Sequence, residues 1–273
     1  MATITVSKQL GSLGEEIAFA VAEKLQYEYV DKERLGKILA DFGFGGPEVD
    51  KFDEKKPPFW DSLAIQRTNF LYSIRAAIYE FARKGKVVIV GRGGQVLLKN
   101  LPGTLHVRIF APFDLRVKRL AERARVDEKH AARLIRKSDH DSAGYIQSFF
   151  NADWNAVSLY DLLINTERLS PAAAVQLIVD SASSGEIKEG EEKGREKLAD
   201  LALVQKIEAK LVTLLGSDLH HVEVLAIKGV VILRGAVTSS ALKEECGKIV
   251  SALEGVKKVD NELLVSQYYG HSI

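Results

Sequence analysis

The residues best suited to gripping an anion are gathered in SKQLGSLGEE, Ser7 to Glu16. Glycines at 11 and 14 let backbone N–H groups converge, and a helix beginning there adds its positive end, so the stretch suits a phosphate. In a loop of the form G-x-x-x-x-G-K-[ST], the lysine bridges the outer phosphates and the hydroxyl residue holds magnesium. Aligned on Gly11, Gly14 stands where that lysine belongs, Leu13 where a glycine is expected, and Glu15 and Glu16 fill the next two sites. Two glutamates in a first helical turn suit the helix dipole but oppose a triphosphate. Lys8 is the cation within reach of the loop, and Ser12 or Glu16 is the candidate magnesium ligand. The alternative is that Gly11 and Gly14 only make a tight strand-to-helix turn.

Two further groups point the same way. Gly91-Arg92-Gly93-Gly94 follows the apolar run VVIV. Open α/β sheets bind ligands beyond the carboxyl ends of such strands, and an arginine there can hold a phosphate by two hydrogen bonds. Next, DLRVKRLAERARVDEKHAARLIRKSDHD carries Arg116, Arg119, Arg123, Arg125, Arg133, Arg136 and Lys137. Phosphoryl transfer is mostly positioning plus cationic stabilisation, which a basic lid supplies; a solvated helix face is the alternative.

The elements that must hold these groups read as an α/β fold. TITVS, YEYVD, KVVIVG, TLHVRIFA and YDLLINT have strand character and alternate with helical segments. One long helix is expected over residues 62–84, with Leu63, Phe70, Leu71, Ile74, Ile78 and Phe81 near helical spacing. Ser170 and Pro171 are a natural N-cap and first helical residue. Such alternation predicts parallel strands joined by helical crossovers. SASSGEIKEGEEKGREKL, residues 181–198, reads as a charged linker with helical character toward its end. After it come an amphipathic helix, a hairpin turning at Lys228-Gly229, a second helix and a last strand, a small α/β sandwich.

Composition narrows the rest. The 273 residues are 46% hydrophobic, enough for a proper core, and the net charge of +1 gives no case for nucleic acid. The single cysteine, Cys246, excludes an internal disulfide or a cysteine metal cluster and reads as a small buried apolar residue. His220 and His221 are adjacent on a strand and point to opposite faces, so one metal is not expected there. No apolar run approaches the ~20 residues of a membrane helix. MATITVSKQ has no charged-then-apolar leader, so a cytoplasmic setting is expected. KKPPFWDSL (55–63) is expected to pack on the long helix, and FFNADW (149–154) to pack the lid onto the domain.

In order, ITVSKQLGSLGEEIA, YVDKERL, VVIVGRGGQVLLKN, VRIFAPFDLRVKRLAER, DHDSAGY and YDLLINTERLS resemble the cytidylate kinase-like family of P-loop proteins. The resemblance implies a P-loop parallel sheet flanked by helices, of the nucleoside monophosphate kinase type, over residues 1–182. It also implies ATP and Mg2+ as cofactors and a monophosphate such as CMP or dCMP as phosphoryl acceptor. By it, Gly11, Ser12, Leu13, Gly14, Glu15 and Glu16 lie at the ATP phosphates, with Lys8 in place of the absent lysine. Asp31 sits in the monophosphate pocket and Arg92 holds the monophosphate. Arg116 and Arg119 face the transferred group, and Arg133, Arg136 and Asp139 belong to the lid. Two departures weigh against turnover: Gly93 replaces the aspartate after the motif arginine, and Ser142 replaces a lid arginine. Loss of a transition-state arginine costs several powers of ten.

VEVLAIKGVVILRGAVTSSALKEECGKIVSALEGVKKVDNELLV resembles the BON domain, through Gly229-Val230, Val231-x-Leu233-x-Gly235, Gly255-Val256 and Val259-Asp260-Asn261. It is expected over 198–269 after a charged linker at 183–197. The resemblance implies a bacterial-type protein with a protein or lipid-like BON ligand, and leaves homodimer formation open. Three readings follow: a kinase, a nucleotide-sensing pseudokinase acting through its BON module, or an assembly protein with a scaffold first domain.

Overall fold

A computed structural model describes residues 2–41, 64–215 and 221–266. The 55–63 loop, Leu63 and His220 lie outside them. The chain divides into two compact units, Met1–Gly194 and Arg195–Ile273.

The first unit runs β1 (Thr3–Lys8), α1 (Gly14–Leu25), β2 (Glu28–Val30), α2 (Lys32–Asp41), α3 (Ala64–Lys84), β3 (Val87–Val90), α4 (Gly94–Leu97), β4 (Thr104–Phe110), α5 (Phe113–Ala124), α6 (Glu128–Phe150), β5 (Leu162–Asn165) and α7 (Pro171–Ala182). Its five strands are parallel in the order β2-β3-β1-β4-β5. The chain adds strands on one side of β1, then crosses to the other between β3 and β4. The crevice beyond the carboxyl end of β1 is therefore the place where this topology leaves room for a ligand.

The two faces of the sheet differ in chemistry. Ile4, Val6, Val88, Leu105, Val107, Ile109 and Ile164 pack on Ile17, Ala18 and Val21 of α1 and on Ala174 and Ile178 of α7. The alternate residues, Thr3, Thr5, Ser7, Thr104, His106 and Arg108, are also buried but polar. Most are hydrogen-bonded, as buried polar groups must be: Thr5 Oγ1 lies 2.7 Å from His106 Nδ1. Burial pushes the His106 imidazole below its ordinary 6.5, opposed in part by the Asp161 carboxylate. Local signals end the helices: Ser170 Oγ accepts from Ala173 N at α7, with Pro171 at its first position, and Asp127 caps α6.

The stretch expected as a linker is helical. α8 is one helix, Gly185–Leu215. Its glycines explain how a charged, Gly-rich stretch stays packed: a side chain at Gly190 or Gly194 would run into the Pro102–Gly103 backbone of the first unit.

In the second unit, Leu203, Ile207, Leu211 and Leu215 of α8 are buried at helical spacing. β6 (Val222–Ile227) and β7 (Val230–Val237) form the antiparallel hairpin, with positive φ at both Lys228 and Gly229. α9 (Ser240–Ser251) follows, then β8 (Lys258–Asn261) and β9 (Leu264–Val265), both parallel to β7. Cys246 is fully buried in α9. No described helix is long and apolar enough to cross a membrane.

Candidate functional site

β1 ends at Lys8 and its loop folds back on its own carbonyls. Gln9 N donates to Ile109 O, while Ser12 N and Ser12 Oγ both donate to Gln9 O, at 3.1 and 2.7 Å. Ser12 O is taken by Thr166 Oγ1 (2.9 Å) and Leu10 O by Arg116 Nη1 (3.3 Å). With the carbonyls turned inward and satisfied, the open first turn of α1 points the other way. The amides of Gly14, Glu15 and Glu16 have no acceptor among the described residues. Such amides at a helix N-terminus bind anions. They face a hollow of about 620 Å³ lined by Lys8–Gly11, Leu13–Glu16, Arg119, Leu120, Glu122 and Arg123. Leu13, at φ 63, lines it without filling it, because its side chain also packs on the core.

Two cations on the wall of the hollow are paired with its carboxylates. Lys8 Nζ lies 3.6 Å from Glu15 Oε2, and Arg123 pairs with Glu16. The Tyr29 phenol is pushed up to about 12, first by burial and then by the carboxylates of Glu15, Asp31 and Glu16. Arg119 is held at the rim, donating to Thr166 Oγ1 and Thr166 O at 3.0 and 2.8 Å.

Several expected roles change. Ser12 is fully buried, its hydroxyl hydrogen is given to Gln9 O, and it is not among the residues lining the hollow. Arg116 does not face the hollow. It is 5% exposed in its side chain and donates to Ala111 O, Leu10 O and both oxygens of Asp139. Four of its five donor hydrogens are thus committed, and it ties the loop, the β4 exit and α6 together. Asp139 is spent on that pairing. Asp31 Oδ1 accepts from Arg34 N and starts α2. Arg92, at φ 56 after β3, is buried. On the exposed side of α6, Arg133 lies against His130 and Arg136 over the Phe113 ring, 4.8 Å from its centroid. Arg92, Asp31, Arg133, Arg136 and Asp139 are not among the residues lining the hollow; Lys8, Gly11, Leu13–Glu16 and Arg119 are.

The missing aspartate after Arg92 has a steric explanation. Gly93 has φ 75, and a Cβ there would enter the Phe150 ring. The aromatic end of α6 occupies the space that an aspartate at position 93 would need.

Two contributors escaped the sequence reading. Thr166 joins Arg119 to the loop. Arg108 lies under the end of β1, 3.8 Å from the Trp154 ring centroid, donating to Ser7 Oγ, Trp154 O, Tyr160 OH and Asn155 Oδ1. Trp154 Nε1 also donates to Ser7 Oγ. An arginine alternating with Leu105, Val107 and Ile109 in a buried strand was the available signal for this cluster. Among the described residues no group of three or more His, Cys, Asp or Glu is arranged to hold a metal.

Comparison with known proteins places the sequence and the fold. The profile of the cytidylate kinase-like family matches residues 3–168, and that of the BON domain residues 199–267. The cytidylate kinase of Pyrococcus horikoshii is 30% identical over 64% of this chain and 85% of its own. That of Pyrobaculum islandicum is 27% identical over 66% and 92%. An uncharacterized protein from Eubacterium ventriosum shares the fold, with a TM-score of 0.52 at 23% identity over 67% of this chain and 99% of that one.

Proposed function

This chain belongs to the cytidylate kinase-like family, and from that premise we propose that its first unit binds a nucleoside triphosphate and passes the terminal phosphoryl group to a nucleoside monophosphate of the CMP or dCMP kind. The observation that carries this reading is the open first turn of α1, facing a hollow at the sheet's switch point with Lys8 and Arg119 on its walls. Amides and cations placed before the ligand arrives supply the electrostatic stabilisation that phosphoryl transfer needs. The acceptor oxygen gains the phosphoryl group and the nucleoside diphosphate leaves. Arg92 is the residue for the acceptor's phosphate.

Mg2+ suits hard oxygen donors, and one or two carboxylates with phosphates satisfy it. Glu15 and Glu16, more than a third exposed on the hollow, would hold it, and Ser12, fully buried off the hollow, would not. When bound, the metal supplies charge neutralisation at the phosphates.

A second reading, a nucleotide sensor that acts through the BON unit without turnover, draws support from the pairing of Lys8, Arg116 and Arg123 with carboxylates and from Ser142 in α6. In that reading the BON unit takes a protein or lipid-like ligand. ADP formation from ATP and Mg2+, screened against CMP, dCMP, UMP and AMP as acceptors, separates the two. Turnover with one acceptor supports the kinase. A nucleotide-dependent rise in melting temperature without turnover supports the sensor, and neither result removes both.

A further inference from the structure

Positions 8 and 14 carry residue types opposite to those of the P-loop pattern. Counting back from Gly14, which stands at the pattern's lysine, Lys8 stands at its first glycine. In the fold these two positions meet. A Cβ built on Gly14 would lie 2.6 Å from Lys8 Cβ, closer than two side chains can approach. Its next neighbours, Ser12 Oγ at 3.2 Å and Ile109 Cβ at 3.3 Å, are tight but within what small shifts absorb. One stem alone fits between the end of β1 and the start of α1. The Lys8 stem holds that place, and its ammonium reaches the first turn of α1, 3.6 Å from Glu15 and on the wall of the hollow.

We propose that Lys8 and Gly14 have exchanged roles: the phosphate-gripping ammonium is delivered from the end of β1, and position 14 is glycine because a second side chain there would collide with the first. This rests on the hollow being a polyphosphate site. The lysine is mobile only beyond its stem, since β1 pairs with β4 as far as Lys8 and with β3 as far as Val6. The ammonium therefore approaches the phosphates from the carboxyl end of the central strand.

Four full-length proteins test the exchange: wild type, Lys8→Gly, Gly14→Lys and the double variant Lys8→Gly/Gly14→Lys. Affinity for ATP–Mg2+ and for inorganic triphosphate is read by calorimetry, and folding by circular dichroism melts. Loss of one charge-assisted contact predicts that Lys8→Gly binds about tenfold or more weaker while melting as a folded protein. Gly14→Lys alone lowers the melting temperature through the collision. The double variant recovers both the melting temperature and most of the wild-type affinity. Wild-type affinity in Lys8→Gly overturns the exchange, as does a folded double variant that binds no better than Lys8→Gly. A wild type that binds neither ATP nor triphosphate sinks the parent reading of the hollow, and the exchange with it.

Discussion

Replacing Asp139 by asparagine isolates the contact that joins α6 to the phosphate loop. Asp139 accepts from Arg116 Nη1 and Nη2 at 3.0 and 2.8 Å, and the arginine side chain is 5% exposed. Removing one partner of a buried ion pair costs ~3–5 kcal/mol, because the other charge stays buried without compensation. Two features reduce that figure. The Asp139 side chain is 28% exposed, and Arg116 keeps its bonds to Leu10 O and Ala111 O. About 2 kcal/mol is the expected loss, which for a unit of this size lowers the melting temperature by about 4–8 °C. Trp154 is buried in the first unit, so in a Trp60→Phe background its emission follows that unit's melting. Asp141→Asn, on the same helix and outside the Arg116 pairing, is the matched control. If Asp139→Asn melts within about 1 °C of wild type, the lid is not fastened through Arg116, and the reassignment of that arginine from the hollow to the scaffold is wrong.

Gly93→Asp, which supplies the aspartate that the resemblance implies after Arg92, is expected to cost about 2 kcal/mol or more through its collision with Phe150 and its positive φ. Phe150→Ala in the same chain should return part of that loss in a urea titration. Arg108→Met takes the guanidinium donor from Tyr160 OH and Asn155 Oδ1 and one of the donors from Ser7 Oγ and Trp154 O, and should lower stability by about 3 kcal/mol, seen as a shifted denaturation midpoint. His106 is held neutral by burial, whereas the unfolded chain takes up a proton near 6.5. Stability therefore falls as pH drops below about 6.5 and is level above it, with a slope of up to about 1.4 kcal/mol per pH unit. Melts of His106→Gln between pH 5.5 and 7.5 should lack this component, and an unchanged slope would count against it.

Much of the first unit is legible because its signals are local. The β-branched run ending at Ser7, the Gly-rich turn and the helix from Gly14 lie within one window, and Ser170-Pro171 announces α7 by itself. The hairpin at Lys228-Gly229 is equally local. What escaped is long-range. Arg116 meets Asp139 across 23 residues, Thr166 meets Ser12 across 154, and Trp154 meets Ser7 across 147. A basic run also hides differences among its members. Arg116 is buried and spent, Arg119 lines the hollow and Arg133 is exposed, yet in the sequence they look alike. The charged stretch before residue 198 was legible only in part, as a linker with helical character toward its end, for a different reason. Composition marks solvated chain, but the docking of Gly190 and Gly194 on Pro102–Gly103 depends on a partner far away in sequence.

The indole of Trp154 is bonded to Ser7, one residue before the lysine at the hollow, and a guanidinium stacks on its face. That places an intrinsic optical reporter at the foot of the phosphate loop. In a Trp60→Phe background, the emission of one chromophore would register any ligand that tugs on the end of β1. No dye or coupled enzyme would be needed, and ligands that are never turned over would register too.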